Sequence, residues 1–204
     1  MQPTPAPLDA SSIAPVLVGA RAGEAWAAEA LFTDMQPRLL RFLRSTEPRV
    51  ADDIAGEVWL AMAKGIGAFE GDLTGFRAWV FSIARRRVAD HRRTAVRRRT
   101  DPEDFEFFSE RAATADTSDE AIAALSGQEA IDLVTRMLPP DQAEVLLLRI
   151  VADLDVAHVA EVMGREATWV RVTQHRALRR LAGTFEENPA GRVTPVAGRT
   201  ISSS

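Results

Sequence analysis

Eight arginines lie between positions 85 and 99, directly after an apolar and aromatic run that begins at Phe76. Guanidinium groups at this density can hold the phosphates of a nucleic acid, and an aromatic ring among them can stack on an unpaired base. The whole chain nevertheless carries a formal charge of −4, so the positive charge is local. The pattern therefore predicts a nucleic-acid-binding face on one helix.

The charged residues are segregated along the 204-residue chain. Residues 1–100 hold 15 Lys and Arg against 11 Asp and Glu, residues 101–136 hold 2 against 10, and residues 137–187 hold 6 against 8. A basic segment is thus followed by an acidic one. This order favours two domains separated by an acidic linker.

The residue types that are missing exclude several kinds of chemistry. The chain has no cysteine, which excludes disulfides, iron–sulfur clusters, thiol catalysis and cysteine-based zinc sites. His91, His158 and His175 are too widely spaced for a metal motif, so we expect no cofactor. No window approaches the length of a membrane span, and prolines stand where a signal peptide would be basic and apolar. We therefore expect a cytoplasmic protein with no direct membrane insertion.

Apolar residues recur at spacings of three and four along most of the chain, without the alternation typical of strands. The predicted fold class is all-α, with two small helical domains joined by a flexible acidic linker. We place the first domain at residues 21–99, the linker at 100–120 and the second domain at 121–187. Residues 1–20, rich in Pro, Ala and Ser, and residues 188–204, with few large apolar groups, are expected to be disordered.

The arginine-rich segment can be phased as a helix at about 100° per residue. With Phe76 at 0°, the stripe expected to be buried lies within about 60° and also holds Trp79, Val80 and Ile83. The side between about 100° and 180° is expected to face DNA, and it holds Arg77, Phe81, Arg85 and Arg92.

Two further expectations follow from this phasing. Phe81 is the stronger candidate for stacking on bases, and Phe69 in the preceding turn is the next. Arg87 and Asp90 phase with the buried stripe, so we expect them to pair with each other or with polar groups at the edge of the core.

The second domain contains the pattern of a helix-turn-helix. Asp155 stands at a capping position, Gly164 suits a left-handed helix end, and a short turn precedes a longer helix. The inward stripe of that helix is expected to hold Val170, Ala177, Leu178 and Leu181. Its outward face, which would enter a major groove, holds Arg171, Val172, His175, Arg176 and Arg179. The alternative interpretation is a plain helical hairpin whose arginines are solvated.

An acidic cluster in the first domain has two interpretations beside a solvated helix face. Asp52, Asp53 and Glu57 share one predicted helix, and Glu70 and Asp72 follow on a glycine turn. Carboxylates of this kind can hold magnesium in a nucleic-acid enzyme. They can equally contact a partner protein, and no histidine or lysine base accompanies them to favour the enzyme.

Three segments in this order resemble the extracytoplasmic-function (ECF) sigma factors of RNA polymerase, within the sigma-70 family. "VADDIAGEVWLAMAKGIGAF" resembles the region that docks on the polymerase clamp helices. "FRAWVFSIARRRVADHRR" resembles the region that opens and reads the minus-ten element. "LPPDQAEVLLLRIVADLDVAHVAEVMGREATWVRVTQHRALRRL" resembles the domain that reads the minus-thirty-five element. The resemblance implies an alternative sigma factor that is not an enzyme.

The resemblance also implies partners and site residues. The partners are core RNA polymerase, through its β′ clamp helices and β flap, promoter DNA and an anti-sigma factor. The residues implied to bind the core polymerase are Asp52, Asp53, Ile54, Glu57, Val58 and Trp59. Those implied to bind minus-ten DNA are Phe69, Arg77, Trp79, Phe81, Arg85, Arg86, Arg92 and Arg93. Those implied to bind minus-thirty-five DNA are Arg149, Trp169, Arg171, Val172, His175, Arg176 and Arg179.

The sequence departs from the family pattern at three positions. Gly56 stands where the clamp-binding motif usually has glutamine, and Trp169 and Val172 stand where small polar residues are frequent. Promoter preference is therefore not transferable from the family. The rival function is an autonomous helix-turn-helix regulator, which would dimerise on a palindrome, although no dimerisation helix is evident.

Overall fold

Every regular element of the described residues, 8–98 and 127–187, is helical in the computed structural model of the chain. The all-α prediction is confirmed. The whole of the predicted linker at 100–120 and the whole of the predicted tail at 188–204 lie outside the described residues.

The first domain contains four α-helices and one 3₁₀ turn within the described residues. They are α1 (Ile13–Arg21), α2 (Ala25–Thr46), α3 (Ala51–Gly65), the 3₁₀ turn Ile66–Ala68 and α4 (Leu73–Arg98). Pro37 lies inside α2 without ending it, although proline removes one helical hydrogen bond. Met35 and Leu39, both fully buried, anchor the helix on either side of this proline.

Helix α1 corrects the prediction of disorder for the described part of residues 1–20, and residues 1–7 lie outside the described residues. The Asp9 carboxylate accepts hydrogen bonds from the backbone N–H groups of Ser11 and Ser12 at 2.9 and 2.8 Å. These bonds, together with one from the Ser11 hydroxyl, lower the pKa of Asp9 to about 2. The turn they form starts a helix whose Val16 and Leu17 side chains are buried. Composition alone missed this apolar face because small and proline residues surround it.

The second domain contains four α-helices within the described residues. They are α5 (Gln128–Met137), α6 (Pro140–Ile150), α7 (Val156–Met163) and α8 (Ala167–Glu187). Asp155 caps α7 by accepting the His158 N–H at 2.9 Å, as its position predicts. Gly164 ends α7 in the left-handed conformation with φ of 62°, and the Arg165 N–H donates to the Ala160 carbonyl at 2.9 Å. Helices α7 and α8 therefore form the predicted helix-turn-helix.

The two domains touch along α4. Helix α4 packs against α2 and α3 within its own domain and against α7 of the other domain. A second contact joins α2 to α5. The basic helix is therefore covered on two sides, which determines what its side chains can reach.

Candidate nucleic-acid interface

The buried side of α4 differs from the predicted one. Seven of the buried residues centre near 80° on the scale where Phe76 is at 0° (about 100° per residue), and they are Leu73, Phe76, Arg77, Val80, Phe81, Ala84 and Val88. Ala78, at about 200°, is buried as well. Trp79 and Ile83, predicted to be buried, are only partly so. The true stripe is rotated toward Phe81, which packs on Phe42 of α2, and toward Arg77, which pairs with Asp34 of α2 and Asp153 of the second domain.

Arg77 and Phe81 were both predicted to face DNA, and both predictions of exposure are wrong. The Phe81 side chain is fully buried and packs edge to face on Phe42, with ring centroids 5.3 Å apart. Arg77 is 5% exposed, and its guanidinium lies 3.5 Å from Asp34 Oδ2 and 2.7 Å from Asp153 Oδ2. In this arrangement the Phe81 ring packs in the core, and the Arg77 guanidinium forms ion pairs.

The other predicted DNA-binding arginines of α4 are more accessible. Arg85 is half-buried and its Nε lies 3.0 Å from Glu144 Oε1 of the second domain. Arg92 is exposed and pairs with Glu47 at 2.5 Å, while Arg93 pairs with Asp90. Arg86 is exposed. Arg86, Arg92 and Arg93 are therefore the cations of this set that can meet a phosphate without separating the domains.

Arg87 and Asp90 do not pair with each other. Arg87 Nε lies 3.6 Å from Glu57 Oε2 on α3, and Asp90 pairs with Arg93 one turn along α4. Of the two expected arrangements, Arg87 therefore adopts the second, in which it pairs with a polar group at the edge of the core.

An aromatic cluster stands at the start of α4. The Phe69 ring stacks on Trp79, with centroids 5.1 Å apart and planes 24° apart, and meets Phe76 edge to face at 5.6 Å. Trp79 lies so close to Gly65 that a Cβ there would come within 2.8 Å of the ring. Phe69 and Trp79 are both half-buried, so each keeps part of its surface available to a ligand. These two rings are therefore partly accessible, whereas the Phe81 ring is not.

Helix α1 supports the loop that carries Phe69. The Arg21 guanidinium donates a hydrogen bond to the Phe69 carbonyl, and α1 packs against the 3₁₀ turn Ile66–Ala68. Sequence reasoning missed Arg21, because nothing local to the first helix shows that its end lies beside residue 69. This contact ties the aromatic cluster to the N-terminal helix.

The face predicted to bind the polymerase contains two core residues. Ile54 and Val58 are at most 1% exposed, so their assignment as apolar contact residues is corrected. Asp52 and Asp53 are exposed, and Asp52 lies 3.3 Å from Arg44. Glu57 is half-buried between Arg87 and His91, its Oε1 lying 3.1 Å from His91 Nε2.

Exposed apolar side chains that the sequence analysis did not single out border this face. Leu60 is 65% exposed, and Phe32 is 49% exposed with its ring 5.0 Å from that of Trp59. The Trp59 indole donates to Gln36 Oε1 at 2.6 Å. An apolar groove of about 780 Å³ runs between α1, α2 and α3 beside them. Their helical spacing is that of core residues, so only the packing reveals that they face outward.

Helix α8 follows most of its predicted phasing, although Leu178, predicted to face inward, is only partly buried. Val170, Ala177 and Leu181 are buried, and Arg171 and Arg179 are exposed. Val172, predicted to face DNA, is 8% exposed, and this prediction is wrong for the present arrangement.

The remaining predicted minus-thirty-five residues are half-buried. The Arg165 guanidinium lies over the Trp169 ring, 5.2 Å from its centroid. His175 and Arg176 lie on α8 between the exposed Arg171 and Arg179. Arg149 donates to the Leu154 carbonyl and so supports the turn before α7. Arg149 therefore has a structural role in this arrangement.

The acidic residues of the first domain do not assemble. The Asp72 carboxylate caps the start of α4 by accepting the Gly75 N–H at 2.8 Å. Within residues 8–98 and 127–187, no three Asp, Glu, His or Cys side chains are grouped to hold a metal ion. In the same ranges, no helix has the length and apolar character needed to cross a membrane.

Comparisons with known proteins agree with this architecture. Residues 31–98 match the Sigma-70 region 2 family, and residues 128–181 match the family Sigma-70, region 4. The structure of CnrH in complex with the cytosolic domain of CnrY superposes with a TM-score of 0.54, covering 85% of this chain and 97% of CnrH at 17% identity. This likeness concerns the fold.

Two relatives are similar in sequence over most of the chain. ECF RNA polymerase sigma factor BldN of Streptomyces coelicolor is 31% identical over 85% of this chain, which spans 66% of the length of BldN. ECF RNA polymerase sigma factor SigD of Mycobacterium tuberculosis is 34% identical over 81% of this chain and 80% of SigD. Both sigma-70 regions match this chain, and SigD is 34% identical over 80% of its own length. The chain therefore belongs to the extracytoplasmic-function RNA polymerase sigma factors of the sigma-70 family.

Proposed function

We propose that the chain is a promoter-specificity subunit that binds core RNA polymerase, reads minus-thirty-five and minus-ten elements and opens the minus-ten region. The observation that carries the proposal is the combination, in one chain, of a helix-turn-helix with exposed arginines and a basic helix headed by half-buried aromatic rings. Duplex reading needs the first feature and capture of unpaired bases needs the second.

Minus-ten recognition is assigned to one end of α4. Phe69 and Trp79 would stack on bases that leave the duplex, and exposed Arg86 and Arg93 would hold the adjacent phosphates. Stacking contributes about 1–3 kcal/mol per base, which offsets much of the few kcal/mol needed to unstack it. No bond is made or broken in this process, so the protein acts by binding and not as an enzyme.

Minus-thirty-five recognition is assigned to α8. Arg171 and Arg179 are exposed on the helix that follows the tight turn, where side chains reach base edges and phosphates of a major groove. Trp169 and His175 border them. Each good bidentate arginine contact with guanine is worth about 1–3 kcal/mol of discrimination.

Docking on the polymerase is assigned to the outer face of α3. Exposed Asp53 and half-buried Glu57 give this face negative charge, and Trp59 and Leu60 give it apolar surface. Apolar anchors surrounded by charge are typical of protein interfaces. We propose the β′ clamp helices as the partner of this face and the β flap as a contact of the second domain.

An anti-sigma factor is proposed as a further partner, and the cytoplasm as the location. The related fold of CnrH was solved with the cytosolic domain of a second protein, CnrY. A transcription factor that is held by such a partner would be released when the partner is removed.

The test is transcription with purified core polymerase. Adding the chain should direct transcription from a defined subset of promoters in the source genome, and Leu60→Asp should weaken core binding while Val96→Asp, at an equally exposed position on α4, should not. A chain that fails to bind core polymerase would exclude the proposal. Tight palindromic duplex binding without polymerase would instead support the autonomous regulator.

A further inference from the structure

One exposed arginine of the helix-turn-helix is not among the residues assigned to DNA. Arg165 lies in the turn between α7 and α8, directly after Gly164. Its guanidinium lies over the ring of Trp169, 5.2 Å from the centroid, and Trp169 belongs to the first turn of α8. Trp169 is also a position at which the sequence departs from the family pattern. The pair is therefore a feature that this chain has and the family pattern does not predict.

The backbone on both sides of the pair is fixed by hydrogen bonds. The Arg165 N–H donates to the Ala160 carbonyl at 2.9 Å, which closes the end of α7. The Val170 N–H donates to the Glu166 carbonyl at 3.2 Å, so α8 starts directly after the turn. The guanidinium and the ring therefore project from backbone that is already ordered in the free protein.

The charge of Arg165 is not neutralised within the described part of the chain. Glu161 and Glu166 are exposed near it in sequence, but Arg165 forms an ion pair with neither of them. A cation–π contact uses the face of the ring and no hydrogen-bond acceptor. The N–H donors of Arg165 therefore remain available to an anion.

The position of the pair on α8 indicates which anion it can reach. With the inward residue Val170 at 0°, Arg179 lies at about 180°, Arg171 at about 100° and Trp169 at about 260° (about 100° per residue). Arg171 and Trp169 thus lie about 80° to either side of the outward direction. A helix seated in a major groove has one sugar–phosphate backbone along each side. Arg171 faces one of these backbones, and the pair of Arg165 and Trp169 faces the other.

We propose that Arg165 binds a DNA phosphate beside the minus-thirty-five element, and that Trp169 is the residue that positions it. Because the ring holds the guanidinium in place before DNA binds, part of the cost of ordering a long side chain is removed. A phosphate contact of this kind sets the orientation of α8 in the groove and reads no base. This inference rests on the proposed function of α8 and adds a ligand of stated chemistry to it.

Four variants test the two roles. Arg165→Ala removes the proposed phosphate ligand, and Arg136→Ala removes the same charge at an exposed position of α5 as the matched control. Trp169→Leu removes the aromatic face but keeps apolar bulk, and Trp169→Phe keeps a ring. Circular dichroism establishes that each variant folds. Arg165 is exposed, so Arg165→Ala tests the phosphate contact even if Trp169→Leu does not fold.

The measurement is made on holoenzyme assembled from core polymerase and each variant. Its probe is a labelled duplex from a promoter that the wild-type chain transcribes, cut so that it holds the minus-thirty-five element and ends upstream of the minus-ten element. Fluorescence anisotropy at several salt concentrations gives the binding constant and its dependence on salt. A second duplex with a scrambled minus-thirty-five element separates phosphate binding from base reading.

The expected results differ between the variants. Arg165→Ala should bind about tenfold more weakly at low salt, because a charge-assisted hydrogen bond is lost. It should also reduce the slope of log K against log salt by about 0.9, by the same factor on both duplexes, while Arg136→Ala changes neither quantity. Trp169→Leu should weaken binding about two- to fivefold, Trp169→Phe should restore most of that loss, and Arg165→Ala/Trp169→Leu should bind no more weakly than Arg165→Ala.

Three outcomes would overturn the inference. They are equal effects of Arg165→Ala and Arg136→Ala, a loss in Arg165→Ala that leaves the salt slope unchanged or is confined to the intact element, and additive losses in the double variant. A wild-type chain that directs no transcription would contradict the proposed function and this inference with it. A transcribing chain in which Arg165→Ala behaves as the control does would contradict the inference alone.

Discussion

Helices α4 and α8 are both basic, yet the sequence predicted the buried and exposed faces of α8 much better than those of α4. In α8 the predicted inward residues Val170, Ala177 and Leu181 are buried, and Arg171 and Arg179 are exposed. In α4 the buried stripe is rotated by about 80° from the prediction, and it includes Arg77 and Phe81. The difference lies in what packs on each helix. In α4, Phe81 packs on Phe42 of α2, and Arg77 pairs with Asp34 of α2 and with Asp153 of the other domain, while α8 packs only within its own domain in the contacts described.

The comparison teaches where helical phasing fails. Phasing finds the direction of greatest apolar content, which is the buried direction when one surface covers the helix. A helix covered on two sides has a wide buried sector, and its centre depends on a partner that is distant in sequence. The predicted buried direction of α4 was set mainly by Phe76 and Trp79. Trp79, however, is only half-buried and lies against Gly65 at the edge of the core.

The largest expected effect concerns the buried side of α4. Phe81→Ala should destabilise the protein by about 3–5 kcal/mol, because it removes a fully buried ring that packs on Phe42. Urea unfolding followed by circular dichroism measures the change. Arg171→Ala, on the exposed face of α8, is the control and should change the unfolding free energy by less than about 0.5 kcal/mol. If Phe81→Ala left the stability unchanged, the ring would not be part of the core, and its prediction as a DNA-facing residue would stand.

The second effect separates stacking from packing at the head of α4. Phe69→Ala should weaken binding to a fork DNA with an unpaired minus-ten strand by about 1–3 kcal/mol, with little change in duplex binding. The Phe69 ring is stacked on Trp79 and only half-buried, so its removal should leave the core packed. Val96→Ala, also on α4 and exposed, serves as the control. Equal losses on fork and duplex DNA would indicate a structural role for Phe69.

Much of the fold was predictable because its signals are local. The cap at Asp155, the left-handed Gly164 and the inward stripe of α8 each depend on residues within a few positions, and the structure contains all three. The boundaries of the surface proposed for minus-ten DNA depend instead on packing between residues that are distant in sequence. The pair between Arg77 and Asp153 joins residues 76 positions apart, which no spacing rule detects.

The same limit applies to the first helix and to the polymerase face. Composition suggested disorder for residues 1–20, while α1 buries Val16 and Leu17 and brings Arg21 to the Phe69 carbonyl. Ile54 and Val58 were assigned to a partner because the resemblance implies that their helix docks on the polymerase, but both side chains are buried in the core. A motif can point to a helix as a candidate interface, and only packing identifies which of its residues are exposed.

The third effect tests whether α1 supports the minus-ten loop. Arg21→Ala should weaken binding to the fork DNA by about 1 kcal/mol, because one hydrogen bond that positions the Phe69 loop is lost. Arg41→Ala, at another exposed arginine of the first domain, removes the same charge and should have a smaller effect. The Arg21→Ala/Phe69→Ala double variant should bind no more weakly than Phe69→Ala alone. Additive losses would show that Arg21 acts through its charge and not through the loop.

The smallest effect concerns the locally determined turn of the second domain. Burial raises the pKa of the Asp155 carboxyl, but hydrogen bonds from the His158 N–H and ring outweigh it and hold that pKa below its usual value of 3.8. The capping carboxylate therefore adds stability at pH values above the unfolded pKa, near 4, and this stability is lost as pH falls through the lower folded pKa. Its size is about 0.5–1 kcal/mol, typical of an exposed cap. Asp155→Asn keeps a capping oxygen without the charge, so the wild-type protein should lose its advantage over this variant between about pH 5 and pH 3 in urea unfolding. A constant difference between the two proteins across that range would mean that the charge of Asp155 contributes nothing to the cap, and that geometry alone determines the turn before α8.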